Sequence, residues 1–274
     1  METAAAGHGG GINLRKGAVM MRGTMRCLIL AGMACGGAVH AAEAPIEKLV
    51  INGDSAVLKL SADDKRPYQL DLNKSNWDVK QCSAQLRREG GVVTITVKLN
   101  DKLLGAGCGL EIAGNLKPGK QVELGLAAVK GSIHGAYSAI RVDSRAVDLT
   151  LDGKAASLSM SADAIRAQAK GAYDKLALKG QALTLGFEGS SREMVFDGQA
   201  VKAKVKLTDA KPSGSLSLDA TTGKLSLTLP KSATLQYEVR GAAASVDSKL
   251  PSTAGAPLKL SARGQALKVA VEAN

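Results

Sequence analysis

The side chains that could do chemistry in this chain are few, and the cysteines are the clearest of them. The sequence has four cysteines and three histidines. Cys27 and Cys35 lie in an apolar N-terminal run, which leaves Cys82 and Cys108 in the body of the chain. Two cysteines without clustered histidines cannot complete a zinc shell, so we expect no metal site and no cofactor. In an oxidising compartment the pair predicts a disulfide, with two buried free thiols as the alternative.

The sequence contains none of the local motifs that position a nucleophile or a phosphate group. A Gly-x-Ser-x-Gly elbow, a nucleotide-binding glycine loop and a calcium-binding Gly-Gly-x-Gly-x-Asp repeat are all missing. Charged residues are spread through the chain. Whether any of them form a site therefore depends on how the chain brings distant segments together.

An 18-residue repeat is one feature that can bring distant segments of the chain together. Residues 129–200 divide without a gap into four blocks that share five columns. Three columns are apolar, one is glycine and the last is alanine. In block order they are Val129, Val147, Ile165 and Leu183; Ile140, Leu158, Leu176 and Met194; Val142, Met160, Leu178 and Phe196; Gly135, Gly153, Gly171 and Gly189; and Ala146, Ala164, Ala182 and Ala200.

Each block contains two stretches in which apolar and polar residues alternate, the signature of a β-strand with one buried face. The glycine between them suits a tight corner that needs positive φ or close backbone approach. A coil this short has no room for a crossover helix. We therefore predict an all-β fold, a single-stranded parallel β-helix or solenoid over residues 111–274, in which stacked coils bury one another's apolar faces.

The period changes after the fourth block. Residues 211–214 break the register, and three sets of apolar residues then recur with a 21-residue period. We expect these wider coils to continue the same solenoid. The sets are Leu216, Tyr237 and Leu258; Leu218, Val239 and Leu260; and Leu225, Val246 and Leu267, with Pro230 and Pro251 in step.

One outward column of the predicted repeat is charged, and we name it the charge ladder. Its signs alternate after the first member, and like charges stacked directly would oppose the register. We predict a role in register and solubility, with ligand binding as the alternative. In this register no outward column carries two adjacent carboxylates. The ladder consists of His134, Asp152, Lys170, Glu188 and Lys206.

Residues 42–110 lack the repeat and are predicted to form a short β-rich capping region. We expect this region to cover the first coil and to protect its open edge, stapled by the Cys82–Cys108 bridge. Its strand-like runs are Leu49–Ile51, Val57–Leu60, Tyr68–Leu72 and Val92–Leu99.

Residues 1–41 have the pattern of an N-terminal extension followed by a signal peptide. Cleavage after Ala41 would release a periplasmic or cell-surface chain, and neither the apolar run nor any later segment is long enough to span a bilayer. A lipidated Cys35 is the weaker alternative, because Gly32 stands where such sites prefer leucine. The pattern comprises Arg22 and Arg26, the apolar run from Cys27 to Val39, and the small residues Val39 and Ala41.

Composition limits the kind of partner. The formal net charge is +11, hydrophobic residues make up 45% and aromatic residues only 3%. A basic surface can attract nucleic acid, anionic lipid or an acidic polymer. Sugar clefts and single-stranded nucleic-acid platforms, however, stack their ligands on aromatic rings. Because lysine and arginine are interspersed with carboxylates, we expect a solvated surface and no nucleic-acid partner.

The stretch from Val92 to Ala200 resembles a bacterial family. The run VVTITVKL, the turn in LKPGKQVELGL and coils such as VDLTLDGKAASLSMSADA are similar to the β-solenoid domains called "putative auto-transporter adhesin", of the "head GIN" type. The resemblance implies an exported, repetitive surface or periplasmic domain without an established active site. The cysteine pair and the 21-residue coils are not part of that family pattern.

These patterns together favour a non-enzymatic, adhesin-like envelope module that binds or scaffolds. Its expected partner is an envelope protein or polymer, and self-association stays open. A carbohydrate-active β-helix enzyme is one alternative, which would need paired carboxylates or a Ca²⁺ site in a cleft. A periplasmic regulatory or assembly factor is the other.

Overall fold

The computed structural model describes residues 45–99 and 107–274, and every regular element in those ranges is a β-strand. The prediction of an all-β chain is confirmed. The strands are β1 Lys48–Ala62, β2 Gln69–Ser75, β3 Ser83–Glu89, β4 Val92–Lys98, β5 Gly109–Leu116, β6 Lys120–Asp143, β7 Ala146–Ser190, β8 Glu193–Leu207, β9 Gly214–Leu229, β10 Leu235–Ser248 and β11 Leu258–Ala273.

These eleven strands belong to one mixed sheet. Its order is β10-β11-β9-β8-β7-β6-β1-β4-β3, with β5 beside β1 and β2 beside β5. The pairs β2–β5 and β3–β4 are antiparallel. The pairs that link β1, β6, β7, β8, β9, β11 and β10 are all parallel. The larger, C-terminal part of the sheet is therefore parallel throughout.

Parallel pairing in the register of the sequence repeat dominates the middle of the sheet. β6 pairs with β7 so that Val129 lies opposite Val147. β7 pairs with β8 so that Leu176 lies opposite Met194. The predicted register is thus confirmed where these strands meet.

Side chains alternate between a buried and an exposed face along these strands. All twelve residues of the three apolar columns are buried, and none exposes more than 4% of its surface. Burial of aliphatic side chains at this density is the main source of stability for the parallel strands. The alanine column behaves differently, because Ala146, Ala164, Ala182 and Ala200 are exposed.

Along the glycine column the backbones of successive repeats nearly touch. Gly135, Gly153, Gly171 and Gly189 have φ values of +108°, +147°, +123° and +152°. A Cβ on Gly153 would collide with the carbonyl oxygen of Gly135, and one on Gly171 with that of Gly153. Positive φ and close backbone approach, the two reasons for expecting glycine here, therefore apply together.

The prediction for the last coils is partly wrong. β8 and β9 pair in a wider register than the repeat, which places Ala200 opposite Thr222. β11 then lies between β9 and β10, so that β10 ends the sheet. Leu216 and Tyr237 do share a row, because both lie opposite Leu260. The predicted third member, Leu258, lies outside that row.

Burial explains why β11 takes the inner position. β11 buries large aliphatic side chains at Leu258, Leu260, Leu267, Val269 and Val271. The second half of β10, residues 241–247, is exposed, and it places Ala244 opposite Leu267. A strand that lies between two others has more of its surface covered than a strand at the edge of the sheet. Large aliphatic side chains therefore bury more apolar surface in that position.

Residues of the predicted capping region contribute strands to the same sheet. The four predicted runs coincide with β1, which contains two of them, and with β2 and β4. Strands β3 and β5 were not predicted. β1 pairs in parallel with β6, with Lys48 opposite Gln121. The domain boundary at residue 110 stays a prediction.

The predicted disulfide is present between Cys82 and Cys108, which are 26 residues apart. Cys82 is buried and directly precedes β3, and Cys108 directly precedes β5. The bond therefore ties the start of β3 to the start of β5.

Replacing both cysteines with alanine is expected to lower the free energy of unfolding by about 3 kcal/mol, because a closed loop of this length restricts the unfolded chain. Urea unfolding under non-reducing conditions measures the loss. Reductant should bring the parent protein to the midpoint of the double variant and leave the variant unchanged. Equal destabilisation of both proteins by reductant would show that the bond does not cause the difference.

Candidate functional site

The charge ladder lies on the outward face of the parallel strands. His134 is opposite Asp152, and Glu188 is opposite Lys206. These four side chains and Lys170 line one shallow depression of about 540 Å³. The five residues, from β6, β7 and β8, therefore meet at one place on the surface, although they are widely spread in the sequence.

Opposite charges interact within this ladder. The Lys206 ammonium donates a hydrogen bond to Oε1 of Glu188 at 2.9 Å. This bond holds the pKa of the Glu188 carboxyl below its usual value, and the charges of Lys206 and Lys170 add to the effect. Cations on both sides favour the charged carboxylate. The role of the ladder in register and solubility stays a prediction.

The expectation that no outward column has two adjacent carboxylates is wrong. Asp197 in β8 lies opposite Asp219 in β9, because these two strands pair in the wider register. Lys179 forms an ion pair with Asp197 at 3.6 Å, and Arg263 lies opposite Asp219. The two carboxylates are thus flanked by cations that balance their charge. Because their surroundings are alike, nothing assigns one of them as a general acid and the other as a general base.

A second charged column was missed by the sequence reasoning, and we name it the lysine column. Lys202 in β8 lies opposite Lys224 in β9, which lies opposite Lys268 in β11. All three are exposed and line a depression of about 560 Å³. The column depends on the wider register between β8 and β9 and on the insertion of β11. The sequence signals a change of register at residues 211–214, but no spacing within the chain signals the insertion of β11.

Two tyrosines with altered titration belong to the core. Tyr137 and Tyr173 are both buried. Burial raises the pKa of both hydroxyls, that of Tyr173 to about 12, and the charge of Asp152 adds to the effect at Tyr173. Both stay protonated at neutral pH and contribute packing to the interior.

Within residues 45–99 and 107–274, no group of three or more His, Cys, Asp or Glu side chains is arranged to hold a metal ion. The same ranges contain no helix with the length and apolar character needed to cross a bilayer.

Comparison with known proteins yields remote structural neighbours only. No protein-family profile and no curated protein matches the chain. A "putative cell adhesion protein" from Clostridium sporogenes is 12% identical, with a TM-score of 0.23 and coverage of 85% of this chain and 94% of that one. A "putative adhesin" from Bacteroides fragilis is 12% identical, with a TM-score of 0.34 and coverage of 84% and 94%. At these scores neither likeness carries an argument about fold or function.

Proposed function

We propose that this chain is an exported, non-enzymatic envelope protein with an adhesin-like role. Its parallel strands would form a β-solenoid that binds or scaffolds other envelope components. Each 18-residue repeat would be one coil of the solenoid, and the wider C-terminal strands would complete it.

The observation that carries this proposal is the parallel pairing of β6 with β7 and of β7 with β8 in the register of the repeat, which β9 continues in parallel in a wider register. Such pairing places equivalent residues of neighbouring strands about 4.8 Å apart, so outward side chains form long rows across the sheet. Repeat proteins use extended surfaces of this kind for binding. The depressions along the charge ladder and the lysine column are shallow, which suits an extended partner better than a small substrate.

Export is supported by two independent features. The Cys82–Cys108 disulfide is of a kind that persists in oxidising compartments. The charged, apolar and small-residue pattern of residues 1–41 is that of a signal peptide, although it lies outside the described residues. The proposed location is the periplasm or the cell surface.

Protein recovered from a periplasmic extract is expected to begin at Ala42, or within one or two residues of it, because Val39 and Ala41 supply the small side chains that signal peptidase accepts. N-terminal sequencing checks the position. An Ala41→Arg variant serves as the control and should retain the N-terminal residues. A mature chain that starts at a lipidated Cys35, or an unprocessed chain in the cytoplasm, would contradict the expectation.

A further inference from the structure

The lysine column differs from the charge ladder because all of its charges are positive. Lys202, Lys224 and Lys268 are direct neighbours on three adjacent strands, which places their backbones about 4.8 Å apart. Like charges directly opposite one another destabilise a sheet. No ion pair involves these three lysines among the residues that the structure describes. The arrangement therefore lowers the stability of the sheet without a compensating carboxylate in the described part of the chain.

The surroundings of the lysine column reinforce its positive charge. Hydroxyl-bearing residues extend the column at both ends, with Thr184 opposite Lys202 and Ser245 opposite Lys268. Lys204 is exposed two positions further along β8. Ammonium and hydroxyl donors thus follow one another across five strands.

We propose that the lysine column binds a linear acidic polysaccharide with about one carboxylate per sugar unit. The inference rests on the proposed function, since an exported protein would meet such polymers, and it names the class of ligand. Lysine is a flexible point charge, so a row of lysines can follow evenly spaced anions without fixed geometry at each one. The exposed side chains of Ala182, Ala200, Ala243 and Ala266 line the same depression and leave room for the polymer.

Charge density distinguishes this ligand from nucleic acid. Duplex DNA carries one charge per about 1.7 Å of its axis, roughly three times the density of a column with one charge per about 4.8 Å. Proteins that bind single-stranded nucleic acid combine a basic groove with aromatic rings on which the bases stack, and among the described residues no aromatic side chain lines this depression. A polymer with widely spaced carboxylates is the better match.

The test uses polygalacturonate, a linear polyuronate, with the full chain and with K202Q/K224Q/K268Q. Binding is measured by titration calorimetry over a series of sodium chloride concentrations. This triple variant should bind about tenfold to a hundredfold more weakly, as expected for the loss of three charge contacts. The slope of log affinity against log salt should fall by about two. Its urea midpoint should equal or exceed that of the parent, because repulsion between the lysines is removed.

A control variant, K154Q/K211Q/K231Q, removes the same charge from exposed lysines outside the column and should bind less than twofold more weakly. Equal weakening by both triple variants would overturn the inference in favour of diffuse attraction. So would failure of the parent to bind polygalacturonate, or tighter binding of duplex DNA or anionic phospholipid vesicles through the same lysines. N-terminal sequencing tests export separately. If the chain is not exported but K202Q/K224Q/K268Q alone loses polyuronate binding, the proposed function is refuted. Polyuronate binding by the lysine column is then still supported.

Discussion

Leu158→Asp is expected to unfold the protein or to lower its stability by several kcal/mol. Leu158 exposes 1% of its surface and lies opposite the buried Ile140 on the neighbouring strand. The new carboxylate would enter an apolar layer and lose its hydration there, which is costly for a charged group. Because a single domain has only about 5–15 kcal/mol of stability, the loss would be a large share of it. Urea unfolding of the purified variant measures the effect.

The matched control is Ser159→Asp, one position along the same strand. Ser159 is half-buried on the other face and lies opposite Arg141. Its aspartate would face a cation, and the change in stability should stay within about 0.5 kcal/mol. Similar urea midpoints for the two aspartate variants would show that Leu158 and Ser159 do not lie on opposite faces.

Gly171→Ala is expected to lower stability by about 3 kcal/mol or more, which corresponds to a fall in Tm of roughly 10 °C for a domain of this size. Two effects add at this position. The φ of +123° is unfavourable for any residue with a Cβ. The new methyl group would also collide with the carbonyl oxygen of Gly153, one repeat earlier in β7. Calorimetry of the variant and its parent gives the difference.

Gly119→Ala separates these two effects. Gly119 also has a positive φ, +80°, but no atom of the described residues lies within 4 Å of the position its Cβ would take. Its substitution should cost only the backbone term, about 1–2 kcal/mol. Equal losses of stability in the two alanine variants would show that the collision with the Gly153 carbonyl oxygen does not add to the cost at Gly171.

Local patterns predicted the part of the fold in which successive blocks have apolar residues and glycine at the same positions. The alternation at Leu158 and Met160 and the glycine at 153 can both be recognised within one short stretch of sequence. When the same pattern returns in the next block, pairing like with like buries every apolar column at once. The register from β6 to β8 and the buried columns follow from this, and so does the meeting of the charge ladder. The disulfide could be predicted because the chain offered no other cysteine pair outside the N-terminal run.

The tertiary structure alone decided which strands became neighbours once the repeat ended. The 21-residue period describes how β9 and β10 correspond, but it contains no information about a third strand between them. β11 takes that place because Leu267 buries more apolar surface there than Ala244, its counterpart in β10, would. This competition involves segments far apart in the chain, as in the pairing of Lys224 with Lys268, and local spacing does not record its result. The lysine column and the Asp197–Asp219 pair depend on these non-local pairings, so the candidate binding surface could be recognised only in the folded sheet.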